Sequence, residues 1–364
     1  MTVDFFGNRR SERFRFVRVS WPEFEEGAEQ ADVTGGSLEF GSQTDLKVTG
    51  STGFSGWPSA DVPDLVRIYY GFTDDAGVRA EFALATCFAS VGEVSFEGAA
   101  AEGEMALEST LKPLASDGPG YPYTAPAGTA AVALAEDLCL RLGLPVSATP
   151  SDYRLATDHT FESGDAWLAI VNWLLSAAGY ASATPDAYGT VILAPYVPPS
   201  SRTPVASLAT DSHSIIHAGV KLSDPAADAY NAWRLTYQTD EECLWASSRF
   251  PDPGVVKSGM EQVDELEGAT RDERIGALKS KARQRLLDNA AAYEHLRFSC
   301  AWLPMRPDDA IRFDYVLGGR GMVEGWEGCI LSMNLALETG AKADIDARRL
   351  IETGKETVEE GGAL

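Results

Sequence analysis

Histidine is the residue type in this chain best suited to hold a metal ion, and two of the four histidines are four positions apart. His213 and His217 have the spacing of a zinc pair on a helix, but Ser-Ile-Ile lies between them and no glutamate follows the first histidine. The local pattern predicts a strand, which would place both side chains on one face yet too far apart for an ordinary zinc pair. The sequence therefore predicts no metal ion and no cofactor.

The sequence also contains no recognisable motif of an enzymatic nucleophile. There is no GxSxG elbow, and no cysteine stands in a known catalytic context with a histidine partner. Gly318–Gly321 superficially resembles a phosphate loop, but it lacks the Lys-Ser/Thr ending and is predicted to be a hairpin turn. The carboxylate pairs Asp74/Asp75 and Asp308/Asp309 are predicted in turns, although a glycosidase can be assembled from distant acids. The chain is predicted not to be an enzyme, and no catalytic residue is assigned.

Arginine is concentrated near the N-terminus. The segment from Asn8 to Trp21 alternates aromatic and basic residues, which predicts a half-buried strand with arginines on its open face. This local basic patch could contact an acidic neighbour, or it could simply be solvated. The candidate partner-contact residues are Arg9, Arg10, Arg13, Arg15 and Arg18.

The rest of the chain is acidic, with 54 acidic against 30 basic side chains and a net charge of -24. This balance argues against a duplex-binding surface, which needs clustered cations to displace counterions. It could instead form a wall that repels passing DNA, or it could only keep the protein soluble. The five scattered cysteines support neither a disulfide framework nor a CxxC zinc site, and Cys139 and Cys300 are predicted to be buried thiols.

Neither a membrane span nor a secretory signal is predicted. No uninterrupted apolar run reaches about 18 residues, and the densest run, Ala166 to Ala178, contains Asn172. The N-terminal segment lacks a basic region followed by an apolar core and a cleavage site. We therefore expect synthesis in the cytoplasm and no membrane insertion by this chain.

The stretch from Thr129 to Pro199 predicts helix, helix and strand. A first helix is expected over Thr129–Leu142, with apolar residues on one side. A second helix should be capped by Ser163 and closed by Gly179, because its apolar residues form one stripe at helical spacing. The β-branched run Gly189–Pro195 then predicts a strand.

Alternating patterns predict short strands on both sides of this module. The hairpin turn Asp74–Gly77 joins two of them, and Met105–Leu114 adds a strand or a short helix. The stretch Glu241–Gly268 contains prolines and glycines and is predicted to be irregular. A capping box at Thr270–Glu273 opens a helix whose inward residues are Ile275, Leu278, Ala282 and Leu286.

These patterns together predict an α+β fold, mainly β, in which two β-barrel-like domains flank a small helix-helix-strand α/β module. The predicted divisions are a first β-domain over 1–115, a linker over 116–128, the α/β module over 129–200, a second β-domain over 201–350 with an inserted helix over 270–293, and a flexible acidic tail over 351–364.

The order of these parts resembles the baseplate hub proteins of phage tails, relatives of the spike-base domains in contractile injection systems. VRIYYGFTDDAGVRAEF looks like the family's paired barrel strands, and DAYNAWRLTY resembles its Asn-led barrel strand. DAWLAIVNWLLSAAGYASATPDAYGTVILAPYVPP is similar to a segment that runs from paired leucines to a strand ending in prolines. LKSKARQRLL and LPMRPDDAIRFDY are similar to the late helix and the Pro-Asp strand after it. The resemblance extends from about Phe14 to Arg349.

This resemblance implies a structural hub of the tail tip or baseplate, located in the virion. It implies a homotrimer, in which two β-domains per subunit give six barrel units around a channel and let a threefold tip join a sixfold tube. The implied partners are the tail tube or distal tail protein ring, tail tip or fibre proteins, the tape-measure protein, and DNA that passes without specific binding.

On this view the acidic charge would partly line the channel during DNA ejection, and the N-terminal arginines would meet the neighbouring ring. Members of the family often continue into a lysin or receptor-binding domain, and because this sequence stops at Leu364 such an activity is expected in another protein.

Two other functions remain open at the level of sequence. A tail-tip glycan hydrolase would need a cleft with acidic residues of raised pKa. A host-surface carbohydrate-binding protein would use exposed aromatic residues. Trp167, Trp233 and Trp302 lie in patterns that favour the core instead.

Overall fold

The structure is a computed structural model of the 364-residue chain. It describes residues 11–55, 65–74, 76–97, 100–210, 215–217, 219–223, 230–239, 242–250, 257–263, 266, 270–289, 291–317, 320–340, 342–352 and 359–361. The chain divides into two compact units, Met1–Val220 with Phe298–Ala347, and Lys221–Arg297 with Arg348–Leu364. The domain boundaries inferred from the sequence stay a prediction.

The described residues form 22 strands and four α-helices, which confirms the predicted α+β, mainly β fold class. The helices are α1 Lys112–Ser116, α2 Ala131–Arg141, α3 Trp167–Ala177 and α4 Arg271–Asn289. The strands are β1 Ser11–Val19, β2 Glu26–Glu29, β3 Val33–Gly41, β4 Val48–Ser55, β5 Leu65–Thr73, β6 Arg79–Glu97, β7 Ala100–Ser109, β8 Tyr123–Ala125, β9 Val146–Ala148, β10 His159–Phe161, β11 Thr184–Pro185, β12 Val191–Leu193, β13 Ala206–Ala209, β14 Lys221–Leu222, β15 Ala232–Gln238, β16 Cys243–Arg249, β17 Ser258–Val263, β18 Ala291–Ala301, β19 Ala310–Leu317, β20 Arg320–Ala336, β21 Lys342–Glu352 and β22 Glu359–Gly361.

The main sheet of the first unit follows the order β20-β3-β4-β7-β6-β5-β1-β2, and β19 and β13 continue it beside β20. Among the described residues this path is open and forms no closed barrel. β20 pairs antiparallel with β3, with Leu335 opposite Leu38, so strands from distant parts of the sequence share one sheet. The 19-residue strand β6 pairs with β5 over its first half and with β7 over its second. The predicted hairpins β5–β6 and β19–β20 are confirmed, although Asp75, Gly318 and Gly319 lie outside the described residues.

The two helices and the strand predicted in the centre of the chain are confirmed as α2, α3 and β12. The apolar stripe of α3 is fully buried at Ile170, Val171, Leu174 and Leu175, and it packs with α2 in one core. The polar residue in this helix is satisfied, because the Asn172 side-chain oxygen accepts the N–H of Ala183 at 2.9 Å.

Of the two predicted ends of α3, the C-terminal end is confirmed and the N-terminal end is wrong. Gly179 has φ +74° and donates its N–H to the Ser176 carbonyl, which confirms its role in closing the helix. Ser163 is not the cap, because the helix begins at Trp167 after Ala166 and has no side-chain cap. Instead, the Asp165 carboxylate accepts the N–H of Glu162 at 2.9 Å, so this segment forms a turn of its own before the helix.

The second unit contains a four-stranded sheet in the order β17-β15-β16-β22, with α4 packed on β15 and β16. The prediction that Glu241–Gly268 is irregular was wrong at Cys243–Arg249 and Ser258–Val263, because β16 and β17 both pair with β15. Residues 241, 251–256, 264–265 and 267–268 of that stretch lie outside the described residues. The capping box of α4 is confirmed: the Thr270 N–H lies 3.0 Å from the Glu273 carboxylate and the Glu273 N–H 3.2 Å from the Thr270 hydroxyl. Leu278, Ala282 and Leu286 are buried as predicted, and Ile275 is partly buried.

Three shorter segments also differ from or refine the predictions. Met105–Leu114 contains the end of a strand and the start of a helix, β7 and α1. Tyr123–Ala125 of the predicted linker pairs with β10. In the stretch 351–364, predicted to be a flexible tail, Ile351 and Glu352 end β21 and Glu359–Gly361 pairs with β16.

No disulfide links any of the five cysteines, and Cys139 and Cys300 are buried as predicted. Cys87 and Cys329 are also buried, whereas Cys243 is exposed. None of the helices in the described part of the chain is long and apolar enough to cross a bilayer.

Candidate partner-binding surface

The candidate surface is built on β1, which lies between β2 and β5 in the main sheet. Strand alternation turns Phe14 and Phe16 to one face, where the Phe14 ring meets Tyr70 edge-on at 5.4 Å. Arg13 and Arg15 belong to the opposite face. The predicted strand is confirmed as β1, but its burial does not alternate along the whole strand, because Val17 and Val19 have the parity of Arg13 and are buried as well.

The five candidate arginines are not one patch. Arg13 and Arg15 share a face, but Arg18 has the parity of Phe14 and Phe16 and belongs to the other face of β1. Arg9 and Arg10 lie outside the described residues. Of the three described members of the predicted set, the structure thus brings together Arg13 and Arg15.

Glu81 on β6 holds both of these arginines. The Arg15 guanidinium donates to the Glu81 carboxylate at 2.6 and 3.1 Å, and Arg13 does so at 3.3 Å. These interactions raise the pKa of Arg15, and the hydrogen bond from Arg15 lowers the pKa of Glu81. Arg15 also lies over the Tyr69 ring at 4.4 Å. Arg15 is therefore fixed, whereas the Arg13 side chain is 71% exposed and can meet a partner.

A third arginine, Arg67 on β5, is buried next to this pair. It donates to the Glu26 carboxylate at 2.6 Å, to the Thr86 hydroxyl at 2.8 Å and to the Tyr188 carbonyl oxygen at 3.0 Å. The Tyr69 hydroxyl also donates to Glu26. The pKa of Glu26 is lowered, chiefly by that hydrogen bond and also by Arg67, while burial raises the pKa of Tyr69.

Two hollows open on either side of Glu81. The arginine hollow, of about 360 Å³, is lined by Ser11, Arg13, Gly71, Phe72, Thr73, Arg79, Ala80 and Glu81. The aromatic hollow, of about 290 Å³, is lined by Phe40, Glu81, Phe82, Ala83, Leu84, Ala187, Tyr188, Trp302, Pro304, Met305, Arg306 and Met333. Glu81 is the acidic residue common to both linings.

The chemistry available at this surface is recognition. Arg13 and Arg79 both line the arginine hollow and are exposed, which suits contact with carboxylates of another protein. In the described part of the chain, no group of three or more metal-ligating side chains comes together. His217 is described, whereas His213 is not, so the histidine pair lies partly outside the described residues.

No pattern in the sequence had predicted that Glu81, Tyr69 and Arg79 belong to this surface. Their position could have been found from the hairpin between β5 and β6, because its register sets Arg79 opposite Thr73 and Glu81 opposite Gly71. Arg67 and Arg306 carried no such pattern, since their neighbours come from distant parts of the chain.

The chain is similar to known proteins in its fold, but no match was found by sequence. No protein-family model matches the chain, and no curated protein is similar to it. The fold is similar to the tail protein from Neisseria meningitidis MC58, with a TM-score of 0.59 and 12% identity over 93% of this chain and 97% of that chain. It is equally similar to the 43 kDa tail protein of prophage MuSo2 from Shewanella oneidensis, with a TM-score of 0.59 and 11% identity over 93% and 98% of the two chains.

A third similar structure is a chain of the Francisella PdpA-VgrG complex, with a TM-score of 0.57 and 8% identity. That match covers 95% of this chain and 53% of the other. At these identities the likeness concerns the fold. The resemblance to phage tail and spike proteins that the order of parts indicated is confirmed at that level.

Proposed function

We propose that this chain, which has the fold of phage tail and injection-system spike proteins, is a structural hub of a phage-type tail tip. The observation that supports the proposal is the likeness to two tail proteins over nearly the whole length of all three chains. In this proposal three copies form a ring, and two β-domains per copy let a threefold tip join a sixfold tube. The protein acts as a virion component and not as an enzyme.

The proposed ring encloses a channel for DNA ejection. The chain carries a net charge of -24, and acidic side chains on the channel wall would repel phosphates and keep DNA from sticking. The neighbours of the ring would be the tail tube or distal tail protein, the tape-measure protein, and the tip or fibre proteins.

Within this proposal, the arginine hollow meets an acidic surface of the neighbouring ring. Arg13 is the best contact residue, because its side chain is 71% exposed while Arg15 is held by Glu81 and Tyr69. Exposed charges of this kind set association rate and orientation more than total affinity.

The first test of the proposal is a measurement of the assembly state of the purified protein. Light scattering over a concentration series, with negative-stain images of the same samples, should show rings with threefold symmetry, even as a minor population. Assemblies of another symmetry at high protein concentration would contradict the proposed trimer.

The contact itself is tested by charge reversal. Arg13→Glu should lower the yield of complete particles from a phage that carries the variant, because it places a carboxylate against an acidic neighbour. Arg141→Glu is the matched control, since Arg141 is also exposed but lies on α2 and pairs with Asp137. Equal particle yields from the two variants would reject the contact.

A further inference from the structure

The aromatic hollow has the lining of a binding site for an apolar side chain. Its wall comes from separate parts of the first unit: Phe82 and Leu84 from β6, Met333 from β20, and Trp302 to Arg306 from the segment after β18. The Phe82 and Trp302 rings meet with their centroids 5.6 Å apart. A volume of about 290 Å³ is enough for one or two side chains of a peptide.

Arg306 supplies a cation at this hollow. Its backbone N–H donates to the Asp309 carboxylate at 2.7 Å, whereas its guanidinium donates, within the described part of the chain, to the Leu84 carbonyl oxygen alone, at 3.5 Å. Among the described residues, no carboxylate lies within 4 Å of the guanidinium. Burial lowers the pKa of Arg306, and the more distant Asp186 and Asp309 oppose that shift.

The acids around Arg306 already have partners other than its guanidinium. Asp186 accepts the N–H groups of Tyr188 and Thr190 at 2.8 Å each. Asp308 pairs with Arg202 at 3.3 Å. Glu81, on the rim of the hollow, binds Arg15. Arg306 is half-buried. A guanidinium has five N–H donors, and its partial desolvation is best compensated by a carboxylate that accepts two of them.

We infer that the aromatic hollow binds an acidic peptide segment of another protein, with an aromatic or aliphatic side chain in the hollow and a neighbouring carboxylate on Arg306. The apolar lining requires an apolar group, and the cation requires an anion beside it. A peptide that contains phenylalanine next to aspartate satisfies both. The site goes beyond the proposed ring, because it defines a ligand that a single chain can bind.

The test uses two pairs of short peptides capped at both ends. The probes are acetyl-Phe-Asp-Leu-amide and acetyl-Leu-Asp-Phe-amide, each with 4-fluorophenylalanine as the aromatic residue, together with their Asn counterparts. Binding to the full-length protein is followed by fluorine NMR. We expect an Asp peptide to bind about tenfold more tightly than its Asn counterpart, because only the carboxylate carries the opposite charge and two oxygens that can both accept from Arg306.

Variants of Arg306 assign the effect to this site. Arg306→Gln should remove the preference for Asp, and Arg306→Lys should keep part of it, since lysine retains the charge but not the two-pronged geometry. Arg141→Gln, on α2, is the control and should leave the preference unchanged. Circular dichroism verifies that each variant is folded.

Three results would overturn the inference: no binding of any probe at millimolar concentration, equal affinity for Asp and Asn peptides, or an unchanged preference in Arg306→Gln. Displacement of both peptide types by N-acetylglucosamine, without preference for Asp, would assign the hollow to sugars and reject the acidic peptide. Peptide binding does not depend on ring formation, so a failure here and a failure of the proposed hub are distinguishable.

Discussion

The Thr86 hydroxyl donates a hydrogen bond to the carbonyl oxygen of Ala187 at 2.8 Å, and so joins β6 of the main sheet to the turn before β12. The same hydroxyl accepts the N–H of Arg67 at 2.8 Å. Thr110 repeats the arrangement, since its hydroxyl donates to the Gly189 carbonyl at 2.9 Å. The turn at residues 186–189 is therefore held against the sheet by buried polar side chains.

Replacing Thr86 tests this connection. Thr86→Val keeps the shape of the side chain but leaves the Arg67 N–H and the Ala187 carbonyl without this partner. We expect the free energy of unfolding to fall by about 1–3 kcal/mol, the cost of buried polar groups that lose a hydrogen bond. Urea denaturation followed by circular dichroism measures the change.

Thr124→Val is the control for this variant. Its hydroxyl bonds to that of Thr160 at 2.8 Å, but the pair is exposed, so water can replace the lost partner. We expect a change within about 0.5 kcal/mol. Equal losses of unfolding free energy in the two variants would mean that the hydrogen bonds of Thr86 stabilise the protein no more than an exposed hydroxyl pair does.

A glycine in the same turn gives a second prediction. Gly189 has φ +89°, and a Cβ added there would lie 2.8 Å from the Thr110 methyl group and 2.9 Å from the Phe24 ring. Gly77 has a similar φ of +77°, but a Cβ there would meet nothing within 4 Å. Both glycines take a left-handed backbone conformation, but only at Gly189 would an added Cβ also clash with neighbouring side chains.

Gly77→Ala should therefore cost about 1 kcal/mol, the price of a left-handed alanine. Gly189→Ala should cost about 1–3 kcal/mol more, because Thr110 and Phe24 must shift. Thermal unfolding of both variants in the same buffer gives the comparison. If Gly189→Ala is no less stable than Gly77→Ala, the turn is not tightly packed against the sheet.

The spacing of apolar residues in the sequence was sufficient to predict an element where one face of that element is uniformly apolar. The stripe of α3 and the capping box at Thr270 and Glu273 are local patterns, and both agree with the structure. Strands β16 and β17 were missed because their buried positions include small or polar residues such as Ala246 and Ser248. The prolines and glycines between them also favoured an irregular segment.

The candidate surface was less predictable because its contacts are not local. Arg13 and Arg15 were found from alternation along β1, but their partner Glu81 is 66 positions from Arg15. Arg67 meets the Tyr188 carbonyl across 121 positions. Such contacts depend on strand register and on the packing of the turn at 186–189, which a single sequence does not determine.

The cysteines give a prediction of chemical reactivity. Burial raises the pKa of Cys87 and of Cys139 to about 12 each, so neither forms the reactive thiolate near neutral pH. Cys300 and Cys329 are buried as well, and Cys243 alone of the five is exposed. We expect Ellman's reagent to label one thiol rapidly in the native protein and all five after denaturation.

Cys243→Ser should abolish the rapid labelling, whereas Cys87→Ser should leave its extent unchanged in the fraction that is folded. Mass spectrometry of the labelled peptides identifies the site. Rapid reaction of a second thiol in the native protein would mean that one of the four buried cysteines is accessible.

The last prediction concerns acid stability at Glu26. The Tyr69 hydroxyl and the Arg67 guanidinium hold the pKa of this carboxyl below its ordinary value of 4.5. The unfolded chain therefore binds a proton there more readily than the folded protein, so the stabilisation is present above about pH 4.5 and is lost as the pH falls through the folded-state pKa.

Glu26→Gln, which cannot ionise, should be less stable than the wild type at neutral pH by about 1 kcal/mol or less, because the carboxylate is partly exposed and screened. This difference should disappear in acid. Urea denaturation at neutral and acidic pH measures it, and Glu23→Gln, at an exposed position three residues away, is the control. A stability difference between Glu26→Gln and the wild type that is the same at both pH values would contradict the assignment.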